Sequence, residues 1–272
     1  MSKRRVMVSC SAKGGVPWWW FESYDKTLRL NHPDFEFEFA MEAGNSAINL
    51  TRNIVADNAI EQGYWKLVQI DKDQFWTPEQ LIRLTGHDLP IVAGPYCKKK
   101  SGPVEWLAVA KPGAVVGPDG LLPCDFVATG MLATSVEALK QMVAFYPDRR
   151  FVSHGEKGDP RDMTELFPIG IVGPNTPAGR LARIKKVLNS GLKPESAYEM
   201  IRSIVETLHP GKSRMLGEDY HFCHLARKAG LEIFCDTKCA VGHVGDAVFP
   251  IGPEALSSPQ GIPTHSFSLD DW

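Results

Sequence analysis

Predominantly apolar runs alternate along the chain with stretches of helical spacing. Residues 6–10, 67–70 and 91–94 have the length and composition of buried strands. Residues 35–39 alternate phenylalanine with glutamate, which is the period of a half-buried strand. Apolar positions between residues 47 and 62 predict a helix that ends at Gly63. This alternation predicts an α/β fold with a mostly parallel sheet.

The middle of the chain gives more local predictions. Thr77 caps a short helix that begins at Pro78, because proline is favoured in the first helical turn. Residues 105–109 and 114–116 predict a hairpin, and residues 126–132 predict one strand. The lysines at 98–100 predict a solvated loop, with phosphate contact as the alternative.

The amino-acid composition changes between residues 145 and 215, where proline, glycine and charged residues are frequent. Two helical stretches, at about 178–188 and 194–208, predict a helical insert at about 174–212, before the last core helix. That last helix opens at Gly217 and ends at Gly230. We interpret residues 1–254 as one domain with this insert, and residues 255–272 as an irregular tail.

Composition narrows the possible functions only slightly. The 272 residues carry a net charge of −2, which gives no overall attraction to nucleic acid or membrane. No apolar run is long enough to span a bilayer, and the amino terminus lacks a signal-peptide segment. Six irregularly spaced cysteines are typical of reduced thiols. We expect a soluble, cytoplasmic protein, located in the host cytoplasm if a phage encodes it.

Two carboxylates follow the strand at 67–70. Asp71 and Asp73 are one residue apart, so both side chains can point the same way at the carboxyl end of the strand. Ligands of open α/β sheets usually bind at that edge. Carboxylate oxygens suit Mg²⁺ or Mn²⁺, so this pair predicts a divalent-cation site, with a solvated turn as the alternative.

In these residues and their order, the sequence resembles the GT-A glycosyltransferases, which move a sugar from a nucleotide donor. The likeness covers roughly residues 6–143 and 167–245. It rests on motifs in a fixed order, which are Arg52-Asn53, Asp71-Lys72-Asp73, residues 90–94, Gly217-Glu218-Asp219 with Phe222-Cys223, and His243. The resemblance implies a GT-A-like open, mostly parallel sheet flanked by helices. It also implies a nucleotide-sugar donor, a UDP-sugar by preference, whose diphosphate lies on Mn²⁺ or Mg²⁺.

The resemblance further implies roles for individual residues. Asp73 would coordinate the cation, Asp71 would contact the ribose or metal-bound water, and His243 would complete the metal site. Asp219 would be the acceptor base of an inverting reaction, and a helix dipole keeps such a carboxylate ionised. Glu218 would hold the acceptor or its loop. Helix capping is the alternative for both Glu218 and Asp219.

The implied donor contacts form a polar set. Its members are Ser9, Ser11, Arg52, Asn53, Asp71 and Lys72. Lys72 departs from the small or acidic residue that the family commonly has between its aspartates. Its ammonium would neutralise phosphate charge instead.

The acceptor is the least determined partner. Arg180, Arg183, Lys185 and Lys186 form a basic run that is typical of a solvated helix face but also suits a polyanionic acceptor. One candidate is DNA with 5-hydroxymethylated bases, since compact enzymes resembling this chain occur in phages that modify their DNA. Such a base would be flipped out or single-stranded. A nucleotidyltransferase with the same aspartates and a non-catalytic nucleotide-sugar binder are the alternatives.

Overall fold

The computed structural model of the chain describes residues 2–12, 15–43, 47–99, 104–154, 160–173, 175–206, 214–245 and 248–249. The strands are β1 (Arg4–Ala12), β2 (Phe35–Ala43), β3 (Lys66–Ile70), β4 (Gln74–Phe75), β5 (Ile91–Ala93), β6 (Ala108–Ala110), β7 (Leu121–Val127), β8 (Met131–Ser135), β9 (Arg150–His154), β10 (Pro160–Thr164), β11 (Gly170–Val172), β12 (Arg214–Leu216), β13 (Ile233–Asp236), β14 (Gly242–Val244) and β15 (Val248–Phe249). The helices are α1 (Trp18–Arg29), α2 (Ile48–Glu61), α3 (Pro78–Gly86), α4 (Val136–Phe145), α5 (Pro177–Leu188), α6 (Pro194–Glu206) and α7 (Glu218–Lys228). The predicted tail at 255–272 lies outside the described residues.

The chain forms two compact units. Within the described residues, the first comprises the chain up to Pro168 and residues 219–249, and it contains the large sheet. The second, within the described residues, is Ile169–Glu218, and it contains β11, β12, α5 and α6. The predicted insert at about 174–212 falls inside this second unit.

An eight-stranded sheet forms the centre of the first unit, in the order β2-β1-β3-β8-β5-β13-β7-β6. From the pairings, β1, β2, β3, β5, β6 and β13 run in one direction, and β7 and β8 run in the other. The predicted fold class is therefore confirmed. The fold is mixed α/β with a large, mostly parallel sheet flanked by helices, consistent with a GT-A-like fold.

The two faces of β1 and β3 have different roles. Val8 and Val68 point to one face and pack with α1 and α3, where Trp20 is fully buried. The next residues, Ser9 and Gln69, are neighbours in the register and point to the opposite face. There Gln69 donates its side-chain amide to the backbone oxygen of Arg52 in α2. Alternation along two central strands thus places polar side chains on the α2 side.

The prediction for residues 114–116 was wrong. They form no strand, and β6 pairs instead with β7. The chain turns tightly first, since the Ala114 N–H donates to the Lys111 oxygen and Gly113 has φ +74°. The strand predicted at 126–132 is also divided, because it ends as β7 at Val127 and resumes as β8 at Met131. The start of α3 is confirmed, with Thr77 and Gln80 forming a capping box.

No helix of the described residues is both long and apolar enough to cross a membrane. All six cysteines are buried and none is in a disulfide.

Candidate active site

Two serines open the candidate site at the carboxyl end of β1. Ser9 and Ser11 are two residues apart, so both side chains lie on the α2 face of the sheet. Their hydroxyl oxygens are buried and have no hydrogen-bond partner among the described residues. Buried polar groups are normally satisfied, so these two hydroxyls indicate a place where a polar ligand fits. The carboxyl edge of a parallel sheet is also where ligands bind.

Asp71 lies directly beyond the end of β3 and is held from two sides. Its Oδ1 accepts a hydrogen bond from Arg52 Nη2 at 2.7 Å. Its backbone N–H donates to the oxygen of Gly130 at 2.9 Å. The Arg52 side chain is 1% exposed and that of Asp71 is 25% exposed. The carboxylate is therefore fixed by a buried cation but can still be reached by a ligand.

Asn53 has contacts that the sequence did not suggest. Its Oδ1 accepts the backbone N–H groups of Leu166 and Phe167 at 2.8 and 3.0 Å. Its Nδ2 donates to the oxygen of Asn49, and the residue is 2% exposed. The amide thus holds residues 166–167 against α2. This structural role occupies most of the hydrogen-bonding capacity that donor contact would need.

Asp73 lies between two nitrogen groups. Lys99 Nζ is 2.5 Å and His243 Nε2 is 3.4 Å from its Oδ2. Burial alone would raise the pKa of Asp73, but hydrogen bonds from His243 and Lys99 outweigh it and lower the pKa to about 2. The carboxylate is therefore ionised at neutral pH. Lys99 belongs to the lysine run that the sequence predicted to be a solvated loop.

A small sheet brings His243 to Asp73, although the two residues are far apart in the sequence. β14 pairs antiparallel with β4, and this register places His243 opposite Gln74. His243 Nδ1 lies 2.7 Å from the backbone oxygen of Cys97. A carbonyl only accepts hydrogen bonds, so Nδ1 carries a proton and donates. Nε2 therefore faces Asp73 as the remaining coordinating nitrogen of the ring.

These two side chains fit a divalent cation. His243 Nε2 faces Oδ2 of Asp73 at 3.4 Å. With a proton it donates to the carboxylate, and without one its lone pair and the carboxylate could both bind a cation. Many metal-bound histidines donate their other ring N–H to a backbone oxygen, as His243 does to Cys97. Within the described residues, no group of three His, Cys, Asp or Glu side chains is close enough to hold a metal ion. Asp71, the third predicted ligand, faces Arg52 instead.

Tyr96 links the parts of the site, and sequence reasoning missed it. Its hydroxyl accepts the Gly130 N–H at 3.0 Å, and its ring meets that of His243 edge-on at 4.9 Å. A Cβ on Gly130 would lie 2.4 Å from the tyrosine ring, so only glycine fits there. Burial raises the pKa of Tyr96 well above its usual value, and the charges of Asp71 and Asp219 add to this effect. Tyr96 is therefore neutral and within electrostatic reach of both aspartates.

The two acids at the start of α7 fall in different units. The helix begins at Glu218, the last residue of the second unit, and Asp219 is the next residue of the first. Asp219 Oδ1 accepts the N–H of Tyr220 at 2.7 Å, so part of its carboxylate takes a local capping contact. The ring of Tyr220 packs at a tilt against that of Phe126, with centroids 5.1 Å apart, and anchors the start of the helix to β7. The second carboxylate oxygen of Asp219 is not used in that contact.

The other predicted residues lie away from these contacts or in the second unit. Lys72 is exposed, and its backbone oxygen accepts the indole N–H of Trp19 at 3.1 Å. In α5, Arg180 Nη1 donates to the oxygen of Val205 at 3.2 Å. Arg183 and Lys186 line a cavity of about 400 Å³ between α5 and α6. Lys185 is exposed, so the basic run is partly solvated and partly turned toward α6.

No protein-family model and no curated protein matches the sequence. Solved structures with a similar fold share little sequence identity with this chain, as three examples illustrate. "A197 from STIV" has a TM-score of 0.46 at 11% identity, over 92% of this chain and 91% of that one. A glycosyltransferase involved in the glycosylation of the major capsid of PBCV-1 has a TM-score of 0.28 at 11% identity, over 53% of this chain and 67% of that one. Mannose-1-phosphate geranyltransferase from Thermus thermophilus has a TM-score of 0.29 at 8% identity, over 86% of this chain and 74% of that one.

Proposed function

We propose that this chain is a metal-dependent glycosyltransferase that moves a sugar from a nucleotide-sugar donor to an acceptor hydroxyl. One observation carries the proposal. Asp73 and His243 converge to 3.4 Å beside the carboxyl ends of β1 and β3, where the hydroxyls of Ser9 and Ser11 are buried without a partner among the described residues. A paired carboxylate and imidazole next to unsatisfied hydroxyls suits a cation-bound, polar ligand.

The donor is proposed to be a UDP-sugar. Ser9 and Ser11 supply hydroxyls that can donate to or accept from the nucleoside, and Asp71 is an acceptor for ribose hydroxyls. Arg52 fixes Asp71 in place, which is a positioning role. The exposed ammonium of Lys72 is available to a phosphate. Asn53 is proposed to contribute to this site only indirectly, by holding residues 166–167 in place.

The cation is proposed to be Mn²⁺ or Mg²⁺, held by Asp73 and His243, with Asp71 close by in sequence. When bound, it would supply Lewis-acid stabilisation of the charge on the leaving diphosphate. Lys99 now shares the Asp73 carboxylate and would compete with the cation for it. If a cation took its place on Asp73, the ammonium of Lys99 would be available to a phosphate. Lys99 is thus added to the residues suggested by the sequence.

The acceptor hydroxyl needs a base, and Asp219 is proposed for that role. It is in electrostatic reach of Tyr96, as is Asp71. A base that takes the acceptor's proton during direct attack gives an inverted product. Glu218 is proposed to hold the acceptor or its loop. For the acceptor itself we propose 5-hydroxymethylated bases in DNA, contacted by Arg180, Arg183, Lys185 and Lys186.

A donor screen tests this function. The full chain is incubated with Mn²⁺ and each of a set of UDP-, GDP- and TDP-sugars, with hydroxymethylated DNA, unmodified DNA and simple glycosides as acceptors. Release of nucleoside diphosphate together with a glycosylated product supports the proposal. Formation of pyrophosphate from a nucleoside triphosphate and a sugar phosphate would make the chain a nucleotidyltransferase. Tight donor binding without any turnover would make it a binder.

A further inference from the structure

A second cavity lies in the first unit and plays no part in the proposed chemistry. It has a volume of about 650 Å³, which falls in the range of about 300–1,000 Å³ that is usual for small-molecule sites. Its walls come from α1, from β4 and the residues after it, and from β14. We call it the tryptophan pocket, because Trp18, Trp19 and Trp76 line it.

The tryptophan pocket and the Asp73–His243 pair lie on opposite faces of β4 and β14. In this antiparallel pair, Gln74 is opposite His243, and Phe75 is opposite Gly242. Side chains directly opposite each other share a face, and neighbours along a strand alternate. Phe75 and Gly242 line the pocket, so Gln74 and His243 point away from it. The pocket is therefore a separate site, on the opposite face of these two strands from His243.

The inner wall of the pocket is rigid. A Cβ on Gly242 would lie 2.0 Å from the Phe75 ring, so the ring covers the backbone of β14 directly. Trp76 is 3% exposed and meets the buried ring of Trp20 edge-on at 5.0 Å. The Trp76 N–H donates to the hydroxyl of Ser23 in α1 at 3.2 Å. This wall is thus preformed, which lowers the entropy cost of binding a ligand.

The outer wall presents indole surface to water. Trp18 is 71% exposed, and Trp19 meets it edge-on at 5.9 Å. Trp19 is fixed because its indole N–H donates to the Lys72 oxygen at 3.1 Å. Exposed aromatic rings beside a cavity provide flat surfaces on which a ring-shaped ligand can stack.

The charges at the pocket favour a neutral ligand. Its charged side chains are Glu22 and Lys26, one turn apart on α1, and they form an ion pair at 2.7 Å. The pair cancels the net charge but leaves both groups at the surface, with side chains 48% and 58% exposed. Both can still exchange hydrogen bonds with hydroxyls. A purely apolar ligand would leave this polar edge unused, and an anion or cation would have to break the pair.

From these features we infer that the tryptophan pocket binds a neutral carbohydrate. A pyranose ring has an apolar face that stacks on indole and a rim of hydroxyls that reaches Glu22 and Lys26. The volume accommodates more than one sugar ring. The site would hold a carbohydrate in addition to the sugar at the metal pair. The inference does not depend on sugar transfer, since binding alone tests it.

The test is a binding titration on the full chain in the presence of EDTA, which separates it from metal-dependent donor binding. The probes are maltose, cellobiose, lactose and the methyl glycosides of mannose and N-acetylglucosamine. Saturation-transfer NMR and tryptophan fluorescence report binding. We expect at least one probe to bind at millimolar concentration. Trp18→Ala should weaken it about tenfold, the size expected for one lost aromatic contact.

The matched control is Phe21→Ala. Phe21 is on the same helix and is 56% exposed, but it does not line the pocket. Both substitutions truncate exposed aromatic residues, so neither should disturb the core. The inference is overturned if no probe binds, or if Trp18→Ala and Phe21→Ala change the affinity equally. It is also overturned if toluene binds in a Trp18-dependent manner and no sugar competes with it, since the pocket would then take apolar ligands.

Discussion

Arg52 Nη2 and Asp71 Oδ1 lie 2.7 Å apart, but the two side chains differ greatly in exposure. That of Arg52 is 1% exposed, and that of Asp71 is 25% exposed. Removing either side chain therefore has a different effect on the one that remains. Asp71 can be hydrated where it stands, whereas the guanidinium would keep its charge in a buried position with one fewer anionic partner.

The first prediction follows from this asymmetry. Asp71→Ala should lower the free energy of unfolding by about 1–3 kcal/mol, because a buried charged donor loses an acceptor. Arg52→Met should cost less, since an apolar side chain of similar length replaces the buried charge. Urea unfolding of both variants measures the difference. Asp25→Ala, which removes the carboxylate partner of the exposed Arg29, is the control and should cost less than Asp71→Ala. Equal losses from Asp71→Ala and Arg52→Met would contradict this account.

The second prediction concerns the metal. Asp73→Ala should abolish Mn²⁺ binding and turnover, because the proposed carboxylate ligand is lost. His243→Ala should weaken binding less drastically. Lys99→Ala should strengthen it by up to about fivefold, because the competing ammonium of a pair whose side chains are both 33% exposed is removed. Electron paramagnetic resonance titration with Mn²⁺ gives all three affinities. Full activity of the parent chain in EDTA would rule out the metal, and unchanged binding in Lys99→Ala would show that the ammonium does not compete.

Parts of the site that lie close in sequence were predictable. The apolar run at 67–70 and the carboxylates after it gave the strand and its end correctly, because β3 is Lys66–Ile70 and buried throughout. Arg52 falls on the buried face of α2 by helical spacing alone. These features depend on local periodicity, which a sequence displays directly.

The remaining parts depend on long-range pairing. The contact of His243 with Asp73 exists because β14 pairs with β4, and each of these strands is too short to give a periodic signal. Lys99 belongs to a basic run that composition alone assigns to solvent. Tyr96 and Gly130 contribute through close packing of a ring on a backbone, and neither residue type indicates such a contact. Long-range pairing also accounts for the division of residues 126–132, since β7 pairs with β6 and β13 whereas β8 pairs with β3 and β5.

The third prediction is a pH effect on stability. Burial lowers the pKa of His221 to about 4, and Arg149 and His224 add to the shift. Burial likewise lowers the pKa of His224 to about 4. In the unfolded chain both should titrate near 6.5, so between about pH 6.5 and pH 4 the unfolded state binds more protons. The free energy of unfolding should therefore fall as the pH decreases through that window.

Urea unfolding at a series of pH values measures this slope. His221→Leu should flatten it, because a buried group that resists protonation has been removed. His221→Leu with His224→Leu should flatten it further. A slope in the double variant equal to that of the parent chain would show that other groups cause the acid sensitivity.

The fourth prediction tests the proposed polyanionic acceptor. Lys185 and Lys186 are exposed on α5, so Lys185→Glu with Lys186→Glu should leave the fold intact. If they contact phosphates, this variant should bind hydroxymethylated DNA more weakly and with a smaller salt dependence, by about one unit of slope per lost contact. Donor affinity should not change. Lys193→Glu, a basic position outside α5, is the control. An affinity for DNA that is equal in both variants would assign α5 to solvent.

The last prediction concerns Asp219 as acceptor base. Its carboxylate accepts the backbone N–H of Tyr220. The charges of Asp219 and Asp71 both contribute to raising the pKa of Tyr96. A base is needed only when the acceptor attacks, so Asp219→Asn should keep the fold and the donor affinity. Base catalysis typically supplies about a hundred- to ten-thousand-fold, and turnover should fall by that order. Asparagine retains the side-chain oxygen that accepts the Tyr220 N–H, so a lost helix cap cannot explain such a loss.

Single-turnover kinetics and the anomeric configuration of the product, by NMR, are the measurements that test Asp219 as the base. The product should be inverted relative to the donor. A retained anomer, or near-parental turnover in Asp219→Asn, would leave Asp219 with the capping role alone and require a different chemical mechanism.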